Sequence, residues 1–496
     1  MATPLTTTAG HVSLPALVSR VPAPVRVAAL ALAFLGVEVV VGASIVEARL
    51  QRLLMLVVGL GALALVFRFP MATMVALLGL TDFIFHAGFF PSFGLGPLSV
   101  DGYELALGAL LVVAAVRPQR RSWGGFAGAA LATFLALVAL SGIVAVEAGR
   151  AELTDVIAWA RALALLTVFY VVVRVFPDAT QRRTLLTAAA VLAAVTGLVA
   201  LMVALGAGLG DMLKDAGSQI IREEEGVGGI QRVRLVGLSA GYALFWYSAM
   251  QVQCARGWNR AGWSAVLAGI SLNILVSFNR NMWSGLIIGL ALILLLGGPM
   301  VRSRVVAALA VGAAGIALIT AVSPAGQDRL IDPVIKRGST IINPSGVARE
   351  GSYKDRELET EAAWAVAKQH LALGVGAGAP IGVWFDDRIG EQSYVRIPQL
   401  FLHNQYLYLL LIAGVPGLLA FLAFLATPLF KAFRRVPRDL PITSLAIGIV
   451  LIMISSFVAI YFTVGDMTVV LGLLTGAIVA DAETRAADGQ PSGLGT

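Results

Sequence analysis

Cysteine and charged side chains are both scarce in this chain of 496 residues. Cys254 is the single cysteine, so an internal disulfide and a cysteine-rich metal site are both excluded. Only 13% of the residues are charged, about half the fraction that is usual in soluble domains. The composition therefore argues against a soluble protein.

Long apolar runs occupy most of the chain, which is 58% hydrophobic and has a mean hydropathy of +0.86. In lipid, each spanning segment must satisfy its own backbone hydrogen bonds, and this requirement favours α-helices. We therefore predict an all-α polytopic membrane protein of about 14 transmembrane helices, with 12 as the alternative. The predicted spans are 26–46, 53–69, 71–90, 100–116, 124–146, 154–175, 184–206, 235–254, 261–278, 281–299, 304–323, 401–426, 441–463 and 467–481.

The basic residues of the short loops predict the orientation of the bundle. Because cytoplasmic loops collect Lys and Arg, the richer set of loops is expected in the cytoplasm together with both termini. The same bias accounts for the net charge of +7, so this charge does not indicate nucleic-acid binding. The richer set holds Arg68, Arg117, Arg120, Arg121, Arg174, Arg182, Arg183, Arg256, Arg260, Arg302, Arg304, Lys431, Arg434, Arg435 and Arg438; the poorer set holds Arg49, Arg52, Arg150 and Arg280.

The spans and the long loops divide the chain into predicted segments. Both long loops fall on the outer side of the membrane under this orientation. The segments are a cytoplasmic tail (1–25), an N-terminal transmembrane bundle (26–206), an outer loop (207–234), further transmembrane helices (235–323), a large extracytoplasmic loop (324–400), the C-terminal transmembrane helices (401–481) and a second cytoplasmic tail (482–496).

The large outer loop contains the stretch EGSYKDRELETEAAWAVAKQHLAL, which has the spacing of an amphipathic helix. Leu358, Ala362, Ala365 and Val366 recur on one predicted face. Such a helix is expected to lie on the membrane surface or to cap a cavity. The glycine-rich stretch 374–380 then ends it.

His403 and Asn404 stand where the large loop meets the twelfth predicted span. At about 100° per residue, Gly414 and Gly417 fall on the helix face of His403 and allow another helix to approach closely. We therefore expect His403 to point into the bundle near its outer surface. Pro416 should release a carbonyl and kink the helix. The alternative is that His403 and Asn404 only cap the helix.

Three arginines are predicted at the same membrane level as His403. Arg280 lies in a short outer turn, and Arg232 and Arg234 precede the eighth span. Guanidinium groups bind phosphate in a bidentate manner, so the cluster suits a lipid-linked diphosphate. A nearby imidazole can take a proton from a hydroxyl group. The alternative is that these arginines only contact lipid headgroups.

Four stretches resemble the O-antigen ligase and O-antigen polymerase (Wzy-C) membrane protein family. HNQYLYLLLIAGVPG is similar to its His-Asn … Gly-x-x-Gly signature, and LGVGAG is similar to the Gly-Val-Gly stretch of its large outer loop. RLVGLSAGYALF resembles the segment that opens a span with an Arg and a Gly, and SFNRNMWSGL resembles a later Ser/Arg turn. The resemblance covers about residues 230–425.

This resemblance implies an extracytoplasmic glycosyltransferase in the bacterial inner membrane. It would move a glycan from a polyprenyl diphosphate, such as undecaprenyl diphosphate, onto a sugar hydroxyl of a glycan or glycolipid acceptor. His403 would be the general base, while Arg280 and Arg234 would hold the diphosphate. No metal and no other cofactor is expected. The expected substrate contacts are Arg232, Asn404, Arg356, Tyr406, Lys354 and Arg396.

Other functions remain open at this point. A ligase would use the sugar of a lipopolysaccharide core as acceptor, whereas a polymerase would use a second lipid-linked repeat unit. A secondary transporter or flippase for lipid-linked glycans would also fit many spans, although transporters place their charges near the bilayer midplane. Asp386 and Asp387 could bind a divalent cation, as acidic pairs do elsewhere.

Overall fold

The structure is a computed structural model whose described residues consist mainly of helices. It describes residues 64–83, 93–95, 98–117, 122–204, 237–277, 279–299, 301–306, 351–386, 392–397, 402–436, 439–462 and 465–488. The predicted spans 26–46, 53–69 and 304–323 lie wholly or mostly outside these residues, as do Arg232, Arg234 and Asp387.

Most of the described helices coincide with predicted spans. In chain order they are α1 (Pro70–Leu78, continued by a π-helical turn at Gly79–Phe83), α2 (Gly102–Val116), α3 (Gly125–Glu147), α4 (Leu153–Ala164, followed by a 3-10 turn at Leu165–Thr167), α5 (Val168–Val175), α6 (Ala179–Ala204), α7 (Leu238–Cys254), α8 (Gly257–Val276), α9 (Arg280–Leu296), α10 (Gly351–Ala367), α11 (Gln405–Phe433), α12 (Leu440–Ser455) and α13 (Gly465–Ala487).

Among the described residues, five helices are long and apolar enough to cross a membrane. They are 125–147, 153–175, 179–203, 405–433 and 465–487. Shorter apolar helices at Gly102–Val116, Arg280–Leu296 and Leu440–Ser455 lie beside them. The protein is thus a multi-pass membrane protein, while the count of 14 spans stays a prediction.

Polar side chains at the helix starts explain where several of these helices begin. Asn279 caps α9 by accepting the N–H of Asn281 at 3.1 Å, and Asp439 caps α12 by accepting the N–H of Ile442 at 3.3 Å. Asp101 and Glu104 form a capping box at α2. A side-chain oxygen at this position satisfies an N–H that the helix cannot pair internally.

Two antiparallel hairpins depart from the all-α prediction. The first pairs β1 (Phe93–Leu95) with β2 (Leu98–Val100), and the second pairs β3 (Ile381–Asp386) with β4 (Gln392–Ile397). The second hairpin follows the glycine-rich stretch of the large loop and packs against α10. The described part of the large loop therefore contains a helix and a hairpin, and not a helix alone.

A network of ion pairs ties four segments together where α11 ends and α12 begins. Asp481 accepts hydrogen bonds from Arg435 at 2.6 Å and from Arg485 at 2.9 Å, and Arg182 lies 3.6 Å from it. Arg485 also pairs with Asp439. Arg182 and Arg435 both belong to the set of arginines that was expected in the cytoplasm. His403 lies at the other end of α11, so we name the two ends the arginine end and the histidine end.

The buried face of α10 differs in part from the predicted face. Glu359, Ala363 and Ala367 form its buried stripe, and Leu358, Ala362 and Val366 lie partly buried beside it. Ala365 is exposed and lies outside this stripe. The observed stripe is centred one residue away from the predicted one, and this shift places a carboxylate on the packed side.

Candidate functional site

His403 occupies the position just before the N-cap of α11. Asn404 is the N-cap, and its side-chain oxygen accepts the N–H of Leu407 at 3.1 Å. This contact agrees with the capping role that was considered for Asn404. The imidazole of His403 is not used for capping, and its side chain is 35% exposed. The ring is therefore accessible at the mouth of a helix whose following residues are buried.

Glu359 holds His403 through both of its carboxylate oxygens. One oxygen accepts the backbone N–H of His403 at 2.8 Å, and the other lies 2.9 Å from the ring atom Nδ1. The Glu359 side chain is only 7% exposed, so water has little access to compete for these contacts. Hydrogen bonds to an ionised carboxylate are stronger than those between neutral groups. The two contacts fix both the backbone and the ring of His403.

Helix α10 runs alongside the first turns of α11, and the segment after it enters a break in that helix. The carbonyl of Leu411 accepts the N–H of Val375 at 2.7 Å, and the N–H of Val415 donates to the carbonyl of Leu371 at 2.8 Å. We call these contacts of residues 371–376 with residues 411–415 the interlock. Because Glu359 meets the chain at His403 and the later residues 371–376 meet it further along at 411–415, α10 and the start of α11 run in the same direction.

Two glycines make the interlock possible. Gly414 has a φ of 64° and interrupts the helical backbone of α11. Gly374 has a φ of 75°, and a Cβ atom placed there would lie 2.1 Å from the carbonyl oxygen of Leu411. A side chain at either position would meet backbone that cannot move aside easily. Gly374 of the Gly-Val-Gly stretch and Gly414 of α11 thus both contribute to the interlock.

The kink in α11 has a different centre from the predicted one. Pro416 cannot donate to Ile412, and the hydroxyl of Ser141 on α3 hydrogen-bonds to the carbonyl of Ile412 instead. This agrees with the expected release of a carbonyl. The departure from helical backbone, however, lies at Gly414, two residues before the proline.

Arg280 begins α9 at the same end of the bundle as His403. The neighbouring Asn281 donates to the carbonyl of Val458 at 3.5 Å, just beyond the end of α12. In the same turn, Ser456 accepts the backbone N–H of Gln405 at 2.9 Å. Residues 456–458 therefore connect the turn of Arg280 to the start of α11. This arrangement agrees with the prediction that both residues lie at one membrane level.

The start of α7 is joined to this end as well. Asp466 accepts the N–H of Ala240 at 3.0 Å, and the hydroxyls of Tyr242 and Ser455 lie 2.9 Å apart. Arg232 and Arg234 precede Gly237, where the described part of this helix region begins. The placement of these two arginines stays a prediction, while the chain that follows them enters the histidine end.

The predicted contacts on the large loop lie on different parts of it. Arg356 is three residues before Glu359, so both lie on one side of α10, and Arg356 is half-buried. Lys354 is exposed on the same helix. Arg396 lies on β4, where it is the register partner of Gly382. The spacing of three residues therefore places Arg356 near Glu359 on α10.

Tyr406 makes contacts within the protein that favour a packing role. Its hydroxyl donates to the carbonyl of Met453 at 2.7 Å, and its ring centroid lies 4.4 Å from that of Phe457. A phenol that is already satisfied has less to offer a substrate. Its predicted substrate contact stays untested.

Glu359 was missed by the sequence reasoning, although a signal for it exists. It lies between the apolar positions Leu358 and Ala362 on the packed side of an amphipathic helix. Acidic residues are seldom fully buried without a partner. A glutamate on the apolar face of a helix therefore predicts a buried partner, even though the sequence does not name it.

A metal site is not seen among the residues that the structure describes. No group of three or more His, Cys, Asp or Glu side chains is placed to hold an ion there. Asp386 ends β3, and Asp387 lies outside the described ranges.

A comparison with known protein families points to the same part of the chain. A search of curated proteins finds no match for the chain. The family model of the O-antigen ligases (Wzy_C) matches residues 263–422, about a third of the chain. Arg280, Glu359, the interlock and His403 all fall inside this segment. The resemblance read from the sequence is confirmed there: residues 263–422 carry an O-antigen ligase-like domain, which supports a glycosyltransferase function in the membrane.

Proposed function

We propose that this protein transfers a glycan from a polyprenyl diphosphate onto a sugar hydroxyl of a glycan or glycolipid acceptor. The observation that carries the proposal is the His403–Glu359 contact at 2.9 Å, which holds an accessible imidazole inside a segment that matches the O-antigen ligase family. A positioned imidazole is the commonest general base in proteins.

The proposed reaction displaces the diphosphate from the anomeric carbon. The acceptor hydroxyl gives its proton to His403 while its oxygen forms a bond to that carbon. The bond between the carbon and the diphosphate oxygen breaks, and the diphosphate leaves with the electron pair. The imidazolium then releases its proton to water. No oxidant, metal or further cofactor enters this balance.

Arg280 and Arg234 are proposed to bind the diphosphate and to stabilise the charge that it gains on departure. A guanidinium offers paired donors that match phosphate oxygens. Such electrostatic stabilisation is often the largest single contribution to catalysis. Further substrate contacts are proposed for Arg232, Asn404, Arg356, Tyr406, Lys354 and Arg396.

The histidine end is proposed to face the extracytoplasmic side of the bacterial inner membrane. The grouping of Arg182, Arg435 and Arg485 at the arginine end supports this orientation, since cytoplasmic loops collect arginine. Both termini would then be cytoplasmic. A lipid-linked donor presented at the outer leaflet would meet His403 near the headgroups.

The test is a transfer assay with the purified protein in lipid. The protein is incubated with a polyprenyl-diphosphate-linked repeat unit, with and without a lipid-core acceptor. Glycan found on the core indicates a ligase, and longer chains on the polyprenyl lipid indicate a polymerase. Movement of the intact lipid-linked unit across a vesicle membrane, without any new glycosidic bond, would instead indicate a flippase and contradict the proposal.

A further inference from the structure

We infer that Glu359 is a positioning residue that sets the tautomer of His403 and thereby makes Nε2 the catalytic base. This inference rests on the function proposed above, in which His403 takes the proton of the acceptor hydroxyl. It assigns a role to a residue in the large loop, 44 positions away from the histidine in the chain.

The hydrogen positions follow from what each group can donate. An ionised carboxylate only accepts hydrogen bonds, so the contact of 2.9 Å between Nδ1 and Glu359 requires the hydrogen to be on Nδ1. A neutral imidazole carries one N–H and one lone pair. The lone pair is therefore on Nε2, on the side of the ring that points away from Glu359.

The second oxygen of Glu359 holds the carboxylate in place beside the ring. It accepts the backbone N–H of His403 at 2.8 Å, so the carboxylate cannot rotate without losing a hydrogen bond. Both contacts come from one nearly buried side chain, and α10 is itself held by the interlock. The carboxylate, the ring and the backbone of the histidine are thus fixed together before any substrate binds.

The exposure of the two side chains agrees with this division of roles. The side chain of Glu359 is 7% exposed and that of His403 is 35% exposed. Glu359 therefore has little access to a substrate and acts through the histidine. When the imidazole takes a proton from the acceptor, the adjacent carboxylate stabilises the resulting positive charge.

The rival explanation is that Glu359 only ties α10 to α11. Glu359→Gln separates the two explanations, because the side chain keeps its shape and its oxygen can still accept the backbone N–H of His403. The amide NH₂ group then faces Nδ1 and must donate to it. The hydrogen of the neutral imidazole is then forced onto Nε2, which can no longer accept a proton. The hydrogen bond between the side chain at position 359 and the backbone of His403 is kept.

The first measurement is the nitrogen chemical shift of the imidazole by solid-state NMR in lipid bilayers. The chain has four histidines, so replacing His11, His86 and His370 with Gln leaves one signal. Under alkaline conditions we expect N–H at Nδ1 with Glu359 and at Nε2 in the Glu359→Gln variant. A hydrogen on Nε2 with Glu359 present, or no change on substitution, would overturn the inference.

The second measurement is glycan transfer, with Glu361→Gln on the exposed side of the same helix as the matched control. For Glu359→Gln we expect kcat to fall by about 10²–10⁴-fold. The KM for the donor should stay within about twofold, since Glu359 is not placed to bind it. If the tautomer reverses but kcat is unchanged, Glu359 only connects α10 to α11 and the inference is wrong. If the protein with Glu359 transfers no glycan at all, the proposed function fails, while the NMR result still decides what Glu359 does.

Discussion

The backbone N–H of Val375 donates to the carbonyl of Leu411 at 2.7 Å, inside the break that Gly414 makes in α11. This single bond shows how the large loop and the helix of His403 form one unit. The loop satisfies a carbonyl that the broken helix leaves without its helical partner. It also holds α10 at the depth at which Glu359 reaches His403.

Gly374→Ala tests this unit. The added Cβ would lie 2.1 Å from the carbonyl oxygen of Leu411, and the backbone φ of 75° is unfavourable for alanine. We expect the free energy of unfolding to fall by about 1–3 kcal/mol, together with most of the transfer activity. Thermal unfolding in detergent and the transfer assay provide the readouts.

Gly108→Ala is the matched control for this substitution. Gly108 lies within α2, and a Cβ there meets nothing within 4 Å. Its unfolding temperature should be unchanged or slightly higher, because alanine favours helix. Equal effects of the two substitutions would contradict the importance of the interlock.

Ser141→Ala tests the contact between α3 and the kinked helix. The buried hydroxyl donates to the carbonyl of Ile412, which Pro416 leaves without its helical N–H. Its removal should cost about 1–3 kcal/mol of the free energy of unfolding, since a buried carbonyl loses its partner. Thermal unfolding in detergent measures this loss, and an unchanged unfolding temperature would argue against the contact.

Asp481→Asn tests the ion-pair network at the arginine end. Asparagine leaves the guanidiniums of Arg182, Arg435 and Arg485 close together without the carboxylate. We expect the free energy of unfolding to fall by about 1–3 kcal/mol. This is less than for a fully buried pair, because Arg485 is 43% exposed. Unfolding temperatures at low and high salt check this expectation.

The kinetics of glycan transfer provide the control for Asp481→Asn. The network lies at the opposite end of α11 from His403, so the folded variant should keep its kcat at low temperature. A large fall in kcat without a fall in stability would place the network in the reaction and contradict the assignment of the site to the histidine end.

Arg280→Lys and Arg280→Ala test the proposed diphosphate contact. Lysine keeps the charge but not the paired donors of the guanidinium, so the KM for the donor should rise with lysine and rise further with alanine. For Arg280→Ala we expect the KM for the donor to rise by about tenfold or more, because the charge-assisted hydrogen bonds are lost. Arg302→Ala provides the control because Arg302 belongs to the predicted cytoplasmic set. An unchanged donor KM in both Arg280 variants would remove Arg280 from the proposed site.

Hydropathy predicted the long helices well because their length and composition are local properties. The helix at 125–147 was expected at 124–146, and the one at 405–433 was expected to begin at 401. The shared end of Arg280 and His403 also followed from alternating spans. These features need no knowledge of which helices touch.

The break at Gly414 and the partner of His403 depend on distant contacts, and so the sequence did not specify them. The φ of 64° at Gly414 is stabilised by a loop some forty residues earlier in the chain. Glu359 reaches His403 only because α10 packs with one particular rotation against α11. If α10 were rotated by one residue against α11, its packed side would still be apolar, but the carboxylate of Glu359 would no longer reach His403.

The central proposal is that His403 acts as the base for glycan transfer at the histidine end. Comparing His403→Ala with His370→Ala tests this most directly, since His370 lies in the large loop and its Nδ1 is 3.2 Å from the carbonyl of Val366. We expect His403→Ala to bind the polyprenyl-diphosphate donor normally and to lose about 10²–10⁴-fold in kcat, while His370→Ala keeps its activity. Transfer by His403→Ala at the unaltered rate would contradict the proposal.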